Sequence, residues 1–261
     1  MKGLFFQITL FLVTSVFFIP VSANFAESAE VDEHIVLWLR YDEGEGDVAV
    51  DTSNYGNDGV INGAEWVEGK YGSALSFNGT SDYVEVEDDE SLLLTKDGLT
   101  IAVWCKTTQH DVQCAITIEK GPDWGPGSYC INYPGYDLGK VRFQIHPKWI
   151  DSETGDDELS DDEWHYFAGT YSDGTYRVYV DGELETEEKS QATITPMLGS
   201  TYIGCRNGST FFYEGVMDEL LVANVAFTED QMNRHMAGTL LPVQPAGKLA
   251  TVWGKIKKIG E

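Results

Sequence analysis

The sequence is poor in basic residues. It contains 17 Lys and Arg against 43 Asp and Glu, which gives a formal net charge of −26 over 261 residues. A nucleic-acid-binding protein needs a basic face that displaces counterions from the phosphate backbone, so this composition excludes nucleic acid as an expected partner. The surplus of carboxylates suits divalent cations better than phosphate groups.

Long hydrophobic runs are absent except at the amino terminus. There, Lys2 precedes an apolar segment from Leu4 to Ile19, followed by Pro20 and Val21-Ser22-Ala23. A positive start, an apolar middle and small residues at the end are typical of a secretory signal peptide. The alternative is a membrane anchor, but the run is shorter than the ~20 residues that span a bilayer. We therefore expect a signal peptide at 1–23, export to a secreted, periplasmic or cell-surface location, and no membrane span after cleavage.

Cysteine is also scarce, and its spacing matches no zinc site. The sequence has no Cys-x-x-Cys pair and few histidines to complete a metal cluster. In an exported protein, four cysteines can form two disulfides with three possible pairings. We expect structural disulfides, with free buried thiols as the alternative. The pairing stays open among Cys105, Cys114, Cys130 and Cys205.

Short β-prone runs separated by turn residues dominate the chain from Ile35 onward, a pattern typical of a sandwich or barrel. The clearest part is 164–187, where Asp173-Gly174 and Asp181-Gly182 predict tight antiparallel hairpins. Its middle strand alternates Tyr176, Val178 and Val180 with other residues, so one face should be buried. The predicted strands are 35–41, 59–62, 74–77, 82–86, 99–107, 115–119, 128–133, 140–146, 164–171, 176–180, 183–186, 201–204 and 214–224.

Helix is rare in the predicted fold. Thr228 and Gln231 form a capping box that opens a short helix to about Met236. Residues 151–163 hold eight carboxylates in thirteen positions, which predicts a solvated loop. We expect a leader at 24–33, one domain at 34–239 and a basic linker or tail at 240–261.

Four segments stand in an order that resembles a known family. They are 37–86, which opens with LWLRYDEGEG, then LTIAVWCKT (99–107), WHYFAGTYSDGTYRVYVDG (164–182) and YIGCRNGSTFFYEGVMDELLVANVAFTEDQM (202–232). Together they resemble the laminin-G-like, concanavalin A-like lectin/glucanase superfamily in its bacterial secreted branch, over nearly all of the predicted domain. The resemblance implies an all-β jelly-roll of two antiparallel sheets with one short helix near the carboxyl terminus.

First and last strands lie close in a jelly-roll, so Asp42-Glu43 and Asp218-Glu219 should converge. Converging carboxylates are costly unless a positive group lies between them. The resemblance implies one structural calcium ion, held here by Asp42, Asn78, Gly79 and Asp218 with Asp82 as a helper. The alternative is that Asp42 and Asp218 cap turns while Glu43 and Glu219 face water.

Aromatic residues between Gly and Pro fit poorly into a sandwich core and are the expected ligand contacts. The predicted carbohydrate-binding residues are Trp124, Tyr136, Trp149 and Arg206. For each of them, the alternative is a lid over the edge of the core. The other group of tryptophans lies in strand-like segments and should pack in the core; its members are Trp38, Trp66, Trp104 and Trp164.

The sequence argues against catalysis. The Glu-x-Asp-x-x-Glu strand of glycanases with this fold is absent, and nothing matches a nucleophile elbow or a phosphate loop. Gln144-Ile145-His146 resembles one strand of alginate lyases, but the partner motifs are missing, so His146 is expected to be an ordinary strand residue. We therefore predict a non-catalytic carbohydrate-binding or surface-recognition module. The alternatives are an adhesive module with a protein partner and an enzyme of the same fold.

Overall fold

The structure is a computed structural model, and it describes residues 33–93, 98–110, 112, 114–121, 125, 127–135, 139–190 and 196–240. The predicted signal peptide, nearly all of the leader and the tail beyond Leu240 lie outside the described residues. Within those residues, every helix is too short or too polar to cross a membrane.

Two eight-stranded antiparallel sheets make up the fold. The first sheet contains β1 (Ile35–Leu39), β4 (Glu65–Glu68), β5 (Ser73–Asn78), β7 (Leu99–Lys106), β12 (Trp164–Ser172), β13 (Thr175–Val180), β14 (Glu183–Lys189) and β16 (Glu214–Ala223). The second contains β2 (Val48–Ala49), β3 (Gly59–Asn62), β6 (Tyr83–Val86), β8 (Ile116–Lys120), β9 (Tyr129–Asn132), β10 (Arg142–Ile145), β11 (Lys148–Asp151) and β15 (Thr201–Ile203). The predicted all-β jelly-roll is confirmed.

Strand order alternates between distant parts of the chain, as a jelly-roll requires. The first sheet runs β14-β13-β12-β7-β16-β5-β4, with β1 paired to β16, and the second runs β11-β10-β9-β8-β15-β6-β3-β2. The first half of β16 pairs with β5, and its second half pairs with β1. The last strand, β16, therefore pairs with three strands from the first half of the chain: β1, β5 and β7.

Both predicted Asp-Gly hairpin turns are confirmed. Asp173 and Gly174 have φ values of 49° and 75°, and Asp181 and Gly182 have values of 51° and 86°. Positive φ at both central residues is the geometry of the turns that match the twist of paired strands. The alternation in β13 is confirmed for Val178, which lies in the core between the sheets, but Tyr179 on the opposite face is buried as well.

A short helix explains why both faces of the first sheet are buried. Helix α2 (Glu229–Met236) begins at Thr228, and the predicted capping box forms through Gln231. Helix α1, earlier in the chain, is a single turn at Asp156–Leu159. A 3-10 turn spans Glu90–Leu92. Helix α2 closes a second apolar cluster on the outer face of the first sheet, formed by residues that include Trp38, Trp104, Tyr166, Tyr179 and Met232.

The main core lies between the two sheets. Leu37, Ile101 and Phe167 from the first sheet face Ile131 and Phe143 from the second. Gly169 of β12 lies against the Phe143 ring so closely that a β-carbon there would collide with it. The expected packing roles of Trp38 and Trp104 are confirmed by their burial, whereas Trp66 and Trp164 are half-buried at the edges of the clusters.

Residues 151–163 are more ordered than a solvated loop. The segment starts with the last residue of β11 and contains α1, and Leu159 is buried in the main core. Ser152 is also buried and accepts a hydrogen bond from the backbone N of Val141. The apolar anchor Leu159 therefore holds the segment against the domain, while most of its carboxylates stay at the surface.

The expected disulfides are absent from the described residues, which include all four cysteines. Cys105 faces the main core from β7, whereas Cys130 lies on the opposite side of the second sheet, so the core separates them. Cys114 and Cys205 are also buried. Burial raises the pKa of the Cys105 thiol to about 12, which makes it unreactive. The expectation of structural disulfides is therefore not met, and the alternative of buried thiols describes the structure.

Candidate functional site

The convergence of acidic residues from the two ends of the chain is confirmed. Leu39 of β1 pairs with Leu220 of β16, which brings Asp42 near Asp218 and Glu219. A β-bulge interrupts β16 between Asp218 and Leu221, and Glu219 within it has a φ of 51°. A positive φ is costly for a residue with a side chain, so the surrounding contacts must hold it.

Arg40 supplies the positive charge that these carboxylates need. Its Nε lies 3.3 Å from Oε1 of Glu219, and its Nη2 lies 3.0 Å from Oδ2 of Asp42. The indole Nε1 of Trp38 donates a 2.7 Å hydrogen bond to Oε2 of Glu219. Both carboxylate oxygens of the buried Glu219 are therefore satisfied by side chains of β1 and the residue after it.

Asp218 is stabilised by backbone donors instead. Its Oδ2 accepts a hydrogen bond from the backbone N of Tyr71, and its Oδ1 accepts one from the backbone N of Glu219. Burial is the main cause that raises the pKa of Asp218 to about 7, with the negative charges of Glu219 and Asp42 adding to it. This carboxyl group therefore changes its protonation state near neutral pH.

The four predicted calcium ligands do not come together. Asp42 and Asp218 lie against the turn between Gly69 and Gly72, where a β-carbon on either glycine would collide with a carboxylate oxygen. Asn78, by contrast, lies at the far end of β5 opposite Glu214, and its Oδ1 accepts hydrogen bonds from the turn that follows.

Gly79 and Asp82 belong to that far turn as well. The backbone N of Gly79 donates to the carbonyl of Tyr213, and Asp82 accepts from the side chain of Asn78. Among the described residues, no group of three or more His, Cys, Asp or Glu side chains is arranged to hold a metal ion. The predicted ligand set does not fit calcium as one site, and calcium at the remaining pair of Asp42 and Asp218 stays a prediction.

A second group of polar residues lies on the outer face of the second sheet. Directly paired residues of neighbouring antiparallel strands point to the same side. One row runs across six strands through Trp149, Gln144, Cys130, Glu119, Tyr202 and Glu85. A parallel row contains Asp151, Arg142 and Asn132. We call these nine residues, together with Arg206, the polar face.

Two ion pairs cross the polar face. Arg206 Nε donates to Glu119 at 2.9 Å, and both side chains are buried. Arg142 donates two hydrogen bonds to Asp151, from Nε at 2.6 Å and from Nη2 at 2.8 Å. Bidentate contacts of this kind fix the orientation of both partners. Each arginine also lies over an aromatic ring, Arg206 over Phe211 and Arg142 over Trp149.

Amide groups between the ion pairs are incompletely hydrogen-bonded. The Oε1 atom of Gln144 is buried and has no hydrogen-bond partner in the described part of the chain, and the buried amide of Asn132 has only the weakly bonding thiol of Cys130 beside it. An unpaired buried polar group costs about 1–3 kcal/mol. Such groups need an explanation, and a bound ligand that supplies the missing hydrogen bonds is one.

Trp149 gives the polar face an exposed aromatic surface. The side chain is 45% exposed and lies directly opposite Gln144 on the edge strand β11. Beside it is an open groove of about 410 Å³, lined by Pro147, Lys148, Ile150, Asp151 and Glu188 as well as Trp149. A flat apolar ring and a groove with polar walls therefore lie together at the edge of the polar face.

The predicted ligand residues have different positions. Trp149 and Arg206 both lie on the polar face, one exposed at its edge and the other buried in an ion pair. Trp124 and Tyr136 lie outside the described residues. His146 lies in the turn between β10 and β11 and is half-buried, so the strand predicted at 140–146 ends one residue before it.

Sequence reasoning missed the amides and carboxylates of the polar face. The signal was present in β10, where Arg142 and Gln144 alternate with the core residues Phe143 and Ile145. Polar residues at alternate positions usually mark a solvated face. Arg142 and Gln144 are buried here, so the periodicity predicted that they point away from the core but did not predict that other residues cover them.

Known proteins share this fold. The sequence model of a protein family, the concanavalin A-like lectin/glucanases superfamily, matches residues 78–233. Domain 4 of AbnA, a GH43 extracellular arabinanase from Geobacillus stearothermophilus solved with arabinotriose, superposes with a TM-score of 0.61 at 18% identity, covering 77% of this chain and 98% of that domain. No curated protein matches the chain in sequence.

Two further structures match parts of longer chains. The binding domain of Paraclostridial Mosquitocidal Protein 1 has a TM-score of 0.61 at 14% identity, over 79% of this chain and 52% of that one. A Trypanosoma rangeli sialidase in complex with the inhibitor DANA has a TM-score of 0.58 at 17% identity, over 77% of this chain and 32% of that one. At these identities the likeness concerns the fold, which occurs in both binding domains and enzymes.

The role of Arg40 gives a first prediction. Arg40→Gln leaves Glu219 buried without its cation, so we expect a loss of about 2 kcal/mol in the free energy of unfolding. The matched control is Arg177→Gln, which breaks the exposed pair with Glu187 and should cost less than about 1 kcal/mol. Urea denaturation measures both. Equal small losses would contradict a structural role for Arg40.

The raised pKa of Asp218 gives a pH-dependent prediction. The ordinary value is 3.8 and the folded value is about 7, so the folded state binds this proton more tightly than the unfolded state. The resulting stabilisation is complete below pH 4 and is lost as the pH rises through 7. Relative to Asp218→Asn, the unsubstituted protein should lose free energy of unfolding between pH 5 and pH 8. Asp47→Asn on the exposed loop should show no such difference.

Chelation tests the calcium prediction. A calcium ion at Asp42 and Asp218 would lower the melting temperature when EGTA removes it, and Asp42→Ala should abolish this sensitivity. The control is Asp47→Ala in the same loop, which should keep it. A melting curve that EGTA leaves unchanged would contradict calcium binding there.

Proposed function

The chain belongs to the concanavalin A-like lectin/glucanases superfamily, and we propose that it is an exported, non-catalytic module that binds carbohydrate on its polar face. The observation that carries the proposal is the exposed Trp149 beside an open groove that is lined by the polar side chains of Lys148, Asp151 and Glu188. Ligand sites typically join an apolar surface to a few converging polar groups.

The two faces of the sandwich differ in what they leave available. Helix α2 covers the outer face of the first sheet, where Tyr166 and Met232 form part of a closed apolar cluster. The outer face of the second sheet instead carries the exposed Trp149 and its groove, at the edge of a row of polar side chains that are mostly buried. This difference supports the second sheet as the binding surface.

Carbohydrates suit the chemistry of the polar face. A sugar ring has apolar C–H faces that pack on an aromatic side chain, and hydroxyl groups that both donate and accept hydrogen bonds. Trp149 offers the first kind of contact, and Lys148, Asp151 and Glu188 in the groove beside it offer the second. The solved arabinanase domain was obtained with arabinotriose, which agrees with saccharide binding on this fold but identifies no sugar for this chain.

The proposal of a non-catalytic role is supported by the state of the buried acid on the polar face. Glu119 accepts two hydrogen bonds from Arg206 Nε, at 2.9 and 3.2 Å. A carboxylate whose two oxygens both accept from a buried arginine is poorly placed to act as a general acid. Product analysis after long incubation with any bound glycan tests this: released oligosaccharides would show an enzyme.

An adhesive module with a protein partner is the second candidate function. The exposed Trp149 beside an open groove is also a suitable anchor for a protein interface, where tryptophan often contributes much of the binding energy. Competition by free saccharide separates the two functions, since only carbohydrate binding is displaced by it.

We predict that Trp149→Ala weakens glycan binding at least tenfold, which corresponds to about 1.4 kcal/mol of lost contact energy. A glycan array followed by calorimetry on the selected saccharide measures the effect. Tyr55→Ala is the matched control, because Tyr55 is an aromatic residue that is also 45% exposed but lies in the loop after β2.

Both variants should melt close to the unsubstituted protein, since their rings are exposed. Equal binding by Trp149→Ala and the unsubstituted protein would remove Trp149 from the site. A folded protein that binds no glycan on the array would favour the protein-partner function.

A further inference from the structure

The charges of the polar face define the class of saccharide that it accepts. We infer that the ligand is a neutral saccharide, without carboxylate, sulfate or phosphate groups. This inference rests on the proposed function, because it describes the ligand of the same surface.

The central arginine is already neutralised. Arg206 and Glu119 form their ion pair with both side chains about 6% exposed. An anionic sugar that recruited Arg206 would leave Glu119 buried without its cation, and uncompensated buried charges cost several kcal/mol. The pair therefore resists exchange with a ligand carboxylate or sulfate.

The arginine nearest to Trp149, Arg142, is also neutralised by a carboxylate of the protein. Arg142 is buried and holds Asp151 with two hydrogen bonds, and it lies 5.4 Å from the centre of the Trp149 ring. At the neighbouring groove, Lys148 lies 2.5 Å from Glu188. A ligand that stacks on Trp149 thus meets basic groups whose charges are balanced by adjacent carboxylates.

The unpartnered acceptor next to Trp149 points to hydroxyl groups. Gln144 Oε1 is a buried acceptor without a donor in the described part of the chain, and Gln144 pairs directly with Trp149. A sugar hydroxyl donates one hydrogen bond and accepts others, whereas an ionised carboxylate or sulfate only accepts.

The overall charge acts in the same direction. At −26, the protein repels a polyanion before contact, and this repulsion is weakened only by salt. Neutral polysaccharides experience no such repulsion. Short-range and long-range electrostatics therefore both select against acidic glycans.

The experiment compares matched neutral and acidic oligosaccharides with the purified protein. Neutral probes would be arabinan, xylan, galactan, mannan and β-glucan fragments, and acidic probes would be oligogalacturonate, alginate, sulfated and sialylated glycans. Calorimetry at 50 and 500 mM NaCl follows each probe that binds. We expect binding among the neutral probes, with an affinity that changes less than twofold between the two salt concentrations.

Substitutions test whether this binding takes place on the polar face. Gln144→Ala should weaken the neutral ligand at least fivefold, whereas Leu184→Ala, exposed on the edge strand β14 of the other sheet, should leave it unchanged. If Gln144→Ala fails to fold, Trp149→Ala on the exposed edge strand replaces it. Neutral binding that none of these substitutions weakens would overturn the assignment to this face.

Two other outcomes are distinguishable. Binding restricted to acidic probes, with an affinity that falls at least tenfold in 500 mM NaCl, would overturn the inference and leave the proposed carbohydrate function standing. A folded protein that binds neither class would overturn the proposed function and this inference with it.

Discussion

The pairing of β1 with β16 is the constraint on which the rest of the structure depends. It closes the first sheet with residues from the two ends of the domain and forces Asp218 and Glu219 into the interior near Asp42. Buried carboxylates are tolerated only with partners. Trp38 and Arg40 provide partners from β1 and the residue after it, and the backbone of Tyr71 provides one from the turn before β5, which pairs with the first half of β16. The same strand pairing thus buries the carboxylates and supplies their partners. It also holds Glu219 at a strained, positive φ.

The outer faces of the two sheets are covered in different ways. Helix α2 covers the outer face of the first sheet, where Glu219 and Tyr166 bond to neighbouring side chains while Trp104 Nε1 has no partner among the described residues. On the second sheet the ion pairs of the polar face are complete, and Gln144 Oε1 has no partner in the described part of the chain. Unpartnered buried atoms therefore occur on both sheets, and the feature that sets the second sheet apart is the open groove beside the exposed Trp149.

Much of the fold could be predicted from local patterns, because periodicity and turn chemistry act over a few residues. The strand at 59–62 and the hairpin turns at Asp173 and Asp181 appear where their sequences place them. The short strands β2, β4 and β11 were missed, since two to four residues give no clear period. Arg40 was missed as the compensating charge because its role depends on a partner nearly the whole domain away. The polar face was missed for a related reason: Asn132 and Gln144 have the pattern of surface residues, and their burial depends on the assembled domain.

The position of β16 also bears on the order of folding. This strand lies between β7 and β5 and pairs with β1, so three strands made early in synthesis wait for one made almost last. Contacts between residues so far apart in sequence close large loops and slow folding. Until residues 214–223 arrive, the first sheet has a gap at its centre, and Asp218 and Glu219 remain hydrated and ionised. The topology thus postpones completion of the domain until nearly all of its strands have been synthesised.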